Sequence, residues 1–549
     1  MFISKLTSSM EKAFPDSYPK QFPEYTSCKS LKNMTNSLQL IFLESDISLF
    51  PKYWAEIKLS GDLAPLATLR EVKYIYSKMT VFPNDIDDQF LRTTPGLYPD
   101  LLEPLHHQDH LLVIPGQCSS LWIDIAVPKN YPAGDHELVI EVFNGENQLC
   151  RQTFSMTVIN KILPKSEFPV TQWFHSDCIA DYYNVPVFSE KHWKYIENFM
   201  RTAAKNGITA ILTPVFTPPL DTYIGGERPT VQLVDVSEDE EGKYSFGYKR
   251  FDRWVKTAKK CGLVYYEISH LFTQWGAKHA PKIIVNKNGK PYKKFGWETD
   301  SAGPEYAEFL KSFLTSFTEH MKELGIDRKC LFHISDEPPI NDIDSYKKAK
   351  ETVSEILKDY TVMDALSNYE FYRTGIVKTP IVATNHGIKD FLEHKVPDMW
   401  VYYCCGTGKG CSNRFFGMPG CRTRSIGYQM YANNAKGFLQ WGYNFYFNQN
   451  SYDSVNPYQD SNGDMFFPSG DGYSVYPGKN GEALESMRII QFREGLEDRQ
   501  LLEICEKKCG KRRVSDLLSQ TVGSTDFDKS SVIAAPILEM RRRLIEMLA

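Results

Sequence analysis

Leu331-Phe332-His333-Ile334-Ser335-Asp336-Glu337-Pro338-Pro339 reads as a short buried strand that ends abruptly in two carboxylates. Upstream, residues 303–325 carry Phe309, Phe313, Phe317 and Met321 at helical spacing, and residues 341–360 repeat the amphipathic pattern downstream. The unit is therefore helix, strand, helix. In such units ligands bind in the crevice at the strand's C-terminal end, so carboxylates placed there differ from carboxylates on a helix face. Pro338 and Pro339 stop the strand and keep the chain extended until the next helix begins. Side-chain alternation sets His333, Ser335 and Glu337 on one face and Phe332, Ile334 and Asp336 on the other. Glu337 falls on the polar, lumen side, and Asp336 needs a bend at the strand end to join it. Taken as a bare dipeptide, the pair could equally solvate a loop; its surroundings decide.

From residue 171 onward the rhythm is strand, loop, helix, strand, with helices long enough for parallel crossovers, such as 190–205 and 251–260. Eight strands are expected: 171–175, 208–216, 264–272, 330–335, 362–367, 381–385, 400–404 and 438–446. Eight such units close naturally into a (β/α)8 TIM-like barrel, with the Asp-Glu pair on the fourth strand. Before them, residues 1–165 show short alternating runs at 38–43, 53–59, 72–76, 111–114, 121–127, 137–143 and 153–159. Turn residues such as Ser60-Gly61-Asp62 separate them, which suits an antiparallel β-sandwich. Residues 161–168 read as a linker. The expected class is multidomain α/β: a β-sandwich at 1–165, the catalytic barrel at 166–480 and C-terminal helices at 481–549, with helical pattern over 482–506 and 526–548. A chain of 549 residues is too long for one ordinary core, in keeping with two or three domains.

A net charge of −5 without any basic run gives no footing for nucleic acid, and no apolar run reaches membrane-spanning length. The first residues hold no sustained apolar stretch of the signal-peptide kind, and twelve cysteines spread along the chain fit a reducing compartment, so a cytoplasmic location is expected. Cys404, Cys405, Cys411 and Cys421 lie close together but lack the paired spacing of a zinc site, so no metal is expected there.

The strand ends supply a polar and aromatic rim: Trp173, His175, Asp177, Thr213, Phe216, Ser269, His270, Ser367, Thr384, Asn385, His386, Tyr402, Tyr403, Gln440, Trp441 and Asn444. Any one of these could simply cap a helix. As a collection, carboxylates, amides and imidazoles among Trp and Tyr suit sugar hydroxyls and ring faces, whereas a nucleotide site would want a Gly-rich phosphate loop after a strand. No such loop is present, and no cofactor is called for. Two carboxylates in a sugar cleft point to glycoside hydrolysis, but the usual pair lies about 5–9 Å apart on opposite sides of the bond, and neighbours share one side. Either an opposing carboxylate lies elsewhere, with Asp177 and Glu267 as candidates, or the substrate supplies the nucleophile. A non-catalytic lectin remains a third reading, and it has no need of the acid pair.

Ile334-Ser335-Asp336-Glu337-Pro338, the run from Gly437 through Gln440-Trp441-Gly442-Tyr443-Asn444 to Phe445, and the run from Arg488 through Phe492-Arg493-Glu494-Gly495 to Asp498 resemble glycoside hydrolase family 123. Leu121-Trp122-Ile123-Asp124-Ile125-Ala126-Val127-Pro128 and Pro132-Ala133-Gly134-Asp135 look like the sandwich domain found there. The resemblance spans most of the chain. It implies a retaining exo-β-N-acetylgalactosaminidase acting on terminal β-linked GalNAc of glycans or glycolipid oligosaccharides. The 2-acetamido oxygen of the substrate is then the nucleophile, through an oxazoline-type intermediate. By the same resemblance Glu337 is the general acid/base and Asp336 holds the acetamido N–H. Trp441 and Tyr403 are expected to form the acetamido pocket, as apolar wall and as donor to the carbonyl. His175, Asp177, His270, Asn385 and Asn444 complete the expected sugar contacts. The loop from Cys405 to Cys421 matches no motif of the family.

Overall fold

Along the strand Cys118–Ala126, Leu121, Ile123 and Ile125 alternate with Trp122 and Asp124, so the strand serves two interfaces at once. The first set enters the core between two sheets, while Trp122 joins the core of the barrel. The computed structural model describes residues 1–549 except His106 and Gln108. One five-stranded sheet runs, in spatial order, Phe2–Ser8, Thr35–Glu44, Cys118–Ala126, Ala67–Ser77 and Gly96–Pro104. The other runs Ser27–Lys32, Asn147–Ile162, Gly134–Asn144, Tyr53–Ser60 and His110–Val113. Pairing is antiparallel throughout, save that Ser27–Lys32 lies parallel to Asn147–Ile162. All seven expected runs are present, and Phe2–Ser8, Ser27–Lys32 and Gly96–Pro104 are strands that the alternation did not reveal.

Eight parallel strands then close a barrel: Val170–Gln172, Ala210–Thr213, Tyr265–Ile268, Cys330–Phe332, Thr361–Leu366, Thr379–Ala383, Trp400–Tyr402 and Gly437–Gln440. The last pairs with the first, Phe438 opposite Val170. Six of the eight strands are shorter than the runs expected for them, because the chain leaves the ladder while it is still buried; Thr361–Leu366 and Thr379–Ala383 keep their expected length. The loops after the second and third strands carry a four-stranded sheet of their own, ordered Tyr244–Gly247, Asp235–Glu238, Ile283–Lys287 and Lys290–Phe295, which the sequence reading did not anticipate.

The long helix Met487–Cys509 packs along Gly420–Ala432. A Cβ on Gly427 would sit 1.8 Å from the carbonyl oxygen of Gly495, so the two backbones touch only because both positions are glycine. The final helices Lys511–Thr521 and Ala534–Leu548 close a third core with the end of this helix and with Met10, Leu31 and Met34 of the sandwich.

The sandwich is joined to the barrel by buried charge. Arg488 Nε and Nη2 donate to the Asp100 carboxylate at 2.7 and 2.8 Å, and Arg70 bridges Asp124 to Glu485. Burial works against ionised Glu485, but Arg70 and Lys205 pull its pKa down to about 2. Removing one partner of such a pair leaves an uncompensated buried charge, at a cost of about 3–5 kcal/mol. A chain beginning near Phe168 would leave Arg488 without its carboxylate, take Arg70 from Glu485 so that only Lys205 and Asn206 remain on it, and uncover the apolar surface around Trp122. It is expected to express mainly as aggregate, with residual activity in any soluble fraction, as measured by sedimentation and turnover. A stable, folded but inactive barrel would show instead that a residue of the sandwich reaches the site.

Candidate active site

The fourth barrel strand ends at Phe332, and the segment that follows it is held by side chains rather than by a ladder. Asp364, on the fifth strand, accepts from the backbone N–H of Ile334 at 2.9 Å and of Ser335 at 3.3 Å, and Tyr346 donates to its other oxygen. Leu271 and Phe272 donate to the carbonyls of His333 and Ile334, and Trp275 donates to the carbonyl of Asp336 at 2.8 Å. Glu337 then adopts φ 40°, a left-handed conformation that costs an ordinary residue on the order of 1–3 kcal/mol and persists only where its neighbours hold it. This turn solves the facing problem of the sequence reading: both carboxylates reach one cavity, although they are adjacent.

That cavity, of about 170 Å³, opens at the C-terminal end of the barrel and is lined by Trp173, His175, Asp221, Gln274, Trp275, Asp336, Glu337, Tyr402, Trp441 and Phe445 among others. The two carboxylates are treated differently. Tyr402 Oη donates to Glu337 Oε1, and burial followed by the charge of Glu337 keeps the Tyr402 phenol protonated. Among the described residues no protein group donates to the Asp336 carboxylate. Burial, and then the charge of Glu337 beside it, push the pKa of Asp336 well above the usual carboxylate range.

The aromatic walls offer faces rather than donors. Trp173 Nε1 is committed to Glu267 at 2.8 Å and Trp441 Nε1 to Asp471 at 3.0 Å, so both indoles turn apolar surface to the cavity. His175 lines the cavity too, but Nε2 donates to the Trp441 carbonyl at 3.0 Å and Nδ1 accepts from Arg228 Nη2 at 3.2 Å. Burial and the Arg228 charge bring its pKa down to about 4, so it is a neutral ring with both nitrogens occupied.

Several expected site residues lie outside this lining. Asp177 is buried in a two-bond pair with Arg228, at 2.7 and 2.9 Å. Asn444 brackets the backbone of His175, accepting from its N–H and donating to its carbonyl at 2.9 Å each. Both position His175 from behind. Asn385 donates to the Gly406 carbonyl at 2.6 Å and steadies the loop after the seventh strand. Tyr403 is buried among the residues packed outside the barrel, against Phe438, because Trp400 and Tyr402 take the inward positions of that strand. Tyr402, its neighbour, lines the cavity instead. Glu267 lies fully buried in the barrel, accepting from Thr171, Trp173 and His333, and has no face on the cavity.

His270 is stacked on His333 with ring centroids 4.4 Å apart, also inside the barrel. His270, His333 and Asp364 bring ligand-type atoms within 4.8 Å of one another. His333 Nε2 is engaged with Glu267 at 2.8 Å; burial disfavours a charged His333, but Asp364 and Glu267 on either side hold its pKa up at about 9. Its use here is to neutralise two buried carboxylates beneath the Asp-Glu turn.

Comparison with known proteins follows the same outline. The description "Glycoside hydrolase 123, catalytic domain" matches residues 173–505, from the end of the first barrel strand into the long helix. The chain belongs to glycoside hydrolase family 123. A solved family 123 glycoside hydrolase from Clostridium perfringens, described for its hydrolysis of glycolipid glycans, superposes with a TM-score of 0.74 at 15% identity, covering 100% of this chain and 97% of that one. A family 39 glycoside hydrolase from Bacteroides cellulosilyticus WH2 reaches a TM-score of 0.31 at 10% identity, over 88% of this chain and 83% of that one. No curated protein matches the chain. This family 123 enzyme thus carries the sandwich, barrel and C-terminal helices expected from its sequence. Among the described residues no helix is long and apolar enough to cross a membrane.

Asp221, Gln274, Trp275 and Phe445 are among the lining residues of the hydrolase that escaped sequence reading. Asp221 lies in the loop after the second strand at φ 41°, and burial pushes its pKa up to about 6. Its backbone N–H is fixed by Gln274 Oε1 at 2.5 Å. Strand-end counting stops at Phe216 and so cannot reach it.

Proposed function

We propose that this family 123 hydrolase removes terminal β-linked GalNAc with retention, using the substrate's 2-acetamido oxygen as nucleophile. The observation that carries the reading is the unequal treatment of two adjacent carboxylates facing one cavity. Glu337 is oriented by Tyr402, as a group that gives and takes a proton should be, whereas Asp336 stands without a protein donor and awaits one. An acetamido N–H meets that need. Donated to Asp336, it favours the ionised form there, and the proton that the pair shares is left to Glu337, ready for the leaving oxygen. Ionised Asp336 then aligns the acetamido oxygen with the anomeric carbon and balances the charge of the oxazolinium ion. After the aglycone leaves, Glu337 takes a proton from the incoming water.

Trp173, Trp441 and Phe445 suit an acetamido methyl group and a sugar ring face, because their N–H groups are spent or absent. The cavity is on the scale of a single ring rather than a threaded chain, which favours exo action. The Clostridium perfringens enzyme is described as acting on glycolipid glycans, and we extend that class of substrate to this chain. Twelve free cysteines support a reducing, cytoplasmic place of action.

A second reading survives on one observation. Asp221 lines the same cavity, so it could serve as the nucleophile of a two-carboxylate retaining enzyme, a role that the burial of Asp177 and Glu267 denies to them. A panel of aryl β-glycosides of GalNAc, GlcNAc, galactose and glucose tests sugar choice, and early NMR spectra of the released sugar test stereochemistry. Release of β-GalNAc ahead of its α anomer is expected. Preference for a 2-hydroxy sugar, or first appearance of the α anomer, would sink the proposal.

A further inference from the structure

Cys404 and Cys405 come two and three residues after Tyr402, and both line the sugar cavity. Both are half-buried free thiols on successive residues, and both open onto the same cavity. Their turn is fixed from several sides. Thr407 N–H donates to the Cys404 carbonyl at 3.0 Å and Asn413 Nδ2 to the same oxygen at 2.9 Å, while Asn385 holds the next residue through the Gly406 carbonyl. Neither thiol is needed for the reaction derived above. A pair of adjacent thiols presented to one small cavity is a preformed chelate, because the backbone has already met the cost of bringing the sulfurs together.

We propose that Cys404 and Cys405 form a vicinal-dithiol site for soft, thiophilic Lewis acids of low coordination number, trivalent organoarsenicals foremost, and that occupation of this site closes the cavity to sugar. With an arsenoso compound the step balances without an oxidant: each thiol gives up its proton, two S–As bonds form, and the arsenoso oxygen leaves as water. Softness favours sulfur over the oxygen ligands of the neighbouring carboxylates. The hydrogen bond to Cys405, and then burial, push the pKa of Cys404 well up, so little thiolate stands ready for ordinary single-site alkylation. Chelation by two sulfurs that face one cavity sets this pair apart from the other ten cysteines, none of which is adjacent in sequence to another.

The test uses the full chain and phenylarsine oxide. Intact mass should show a single phenylarsenic adduct formed with loss of water, and turnover should fall in step with it. 2,3-Dimercaptopropanol should restore activity, whereas a monothiol at equal thiol concentration should not. Cys404→Ser and Cys405→Ser should each weaken retention of the adduct by ~10²-fold or more, the usual worth of a second linked contact. Cys509→Ser serves as control, since Cys509 is spent on the Cys505 carbonyl at 2.9 Å far along the C-terminal helix, and it should keep full sensitivity. Released sugar, added beforehand, should slow the labelling. An adduct that persists in Cys405→Ser, or one that forms fully with undiminished turnover, overturns the proposal. The mass readout stands whichever sugar proves to be the substrate, so failure here and failure of the GalNAc reading are separable.

Discussion

Glu337→Gln is expected to lose nearly all turnover on natural glycans and much less on aryl glycosides whose leaving groups are acidic enough to depart unaided. A positioned general acid is worth about 10²–10⁴-fold in rate, and only substrates that need the proton should lose that factor. The pH profile gives a second, independent mark. The productive state of the pair holds one proton, so in the native enzyme turnover falls when the last proton leaves. Burial and mutual repulsion raise the pKa of Asp336, so that alkaline limb lies above the ordinary carboxylate range. With Gln at 337 no proton is donated, and activity on the activated substrate should show only an acid limb, where Asp336 becomes ionised. Removing the neighbouring charge also removes a cause of the raised pKa, so this limb should sit lower than the alkaline limb of the native enzyme. Tyr402→Phe should leave both limbs in place with a smaller loss of rate, because it removes the orienting bond and not the acid. Equal losses on good and poor leaving groups, or an alkaline limb that survives in Glu337→Gln, would contradict the acid role.

The parts of this architecture that depend on period were legible before any coordinates. Eight strands could be counted because helices of crossover length, such as Glu190–Lys205 and Pro304–Glu323, separate most of them, and Leu121, Ile123 and Ile125 announce one face of a strand by simple alternation. What failed to show was the point where each strand leaves the ladder. The fourth strand was read to Ser335 and ends at Phe332, because His333 to Ser335 remain buried on bonds to Asp364, Leu271 and Phe272. Apolar content reports burial, and burial outlasts pairing. The same limit explains Tyr402 and Tyr403: both sit at a strand end, and only the inward phase set by Trp400 decides between them. His270 reads as a rim residue and Glu267 as a candidate opposing carboxylate, yet both lie inside the barrel, where Glu267 accepts from Thr171, Trp173 and His333 and His270 stacks on His333. Asp221 and Trp275 lie in long loops and hold left-handed backbone conformations, for which no pattern in the sequence speaks.

Replacing the 2-acetamido group of the substrate by hydroxyl should abolish cleavage. If the acetamido oxygen attacks the anomeric carbon, the nucleophile is already part of the substrate, and such pre-orientation can account for about 7–11 kcal/mol of barrier. An aryl β-N-acetylgalactosaminide should be cleaved, and the matching β-galactoside should give no release above background. A thiazoline mimic of the intermediate should inhibit, since it resembles a state that the site is built to hold. Asp336→Asn should lower turnover while sugar binding persists, because the amide fills the same space but cannot balance the oxazolinium charge. This variant is expected to resemble Glu337→Gln in rate yet to differ in its response to leaving group, losing as much on activated substrates as on poor ones. Asp221 supplies the contrast. As a sugar contact its replacement by Asn should mainly raise KM, whereas as a nucleophile it would be trapped as a covalent ester by a 2-fluoro sugar and detected by peptide mass. Comparable cleavage of the 2-hydroxy sugar, or a trapped ester on Asp221, would replace substrate assistance by the two-carboxylate mechanism, with Glu337 still the acid on the near side of the bond.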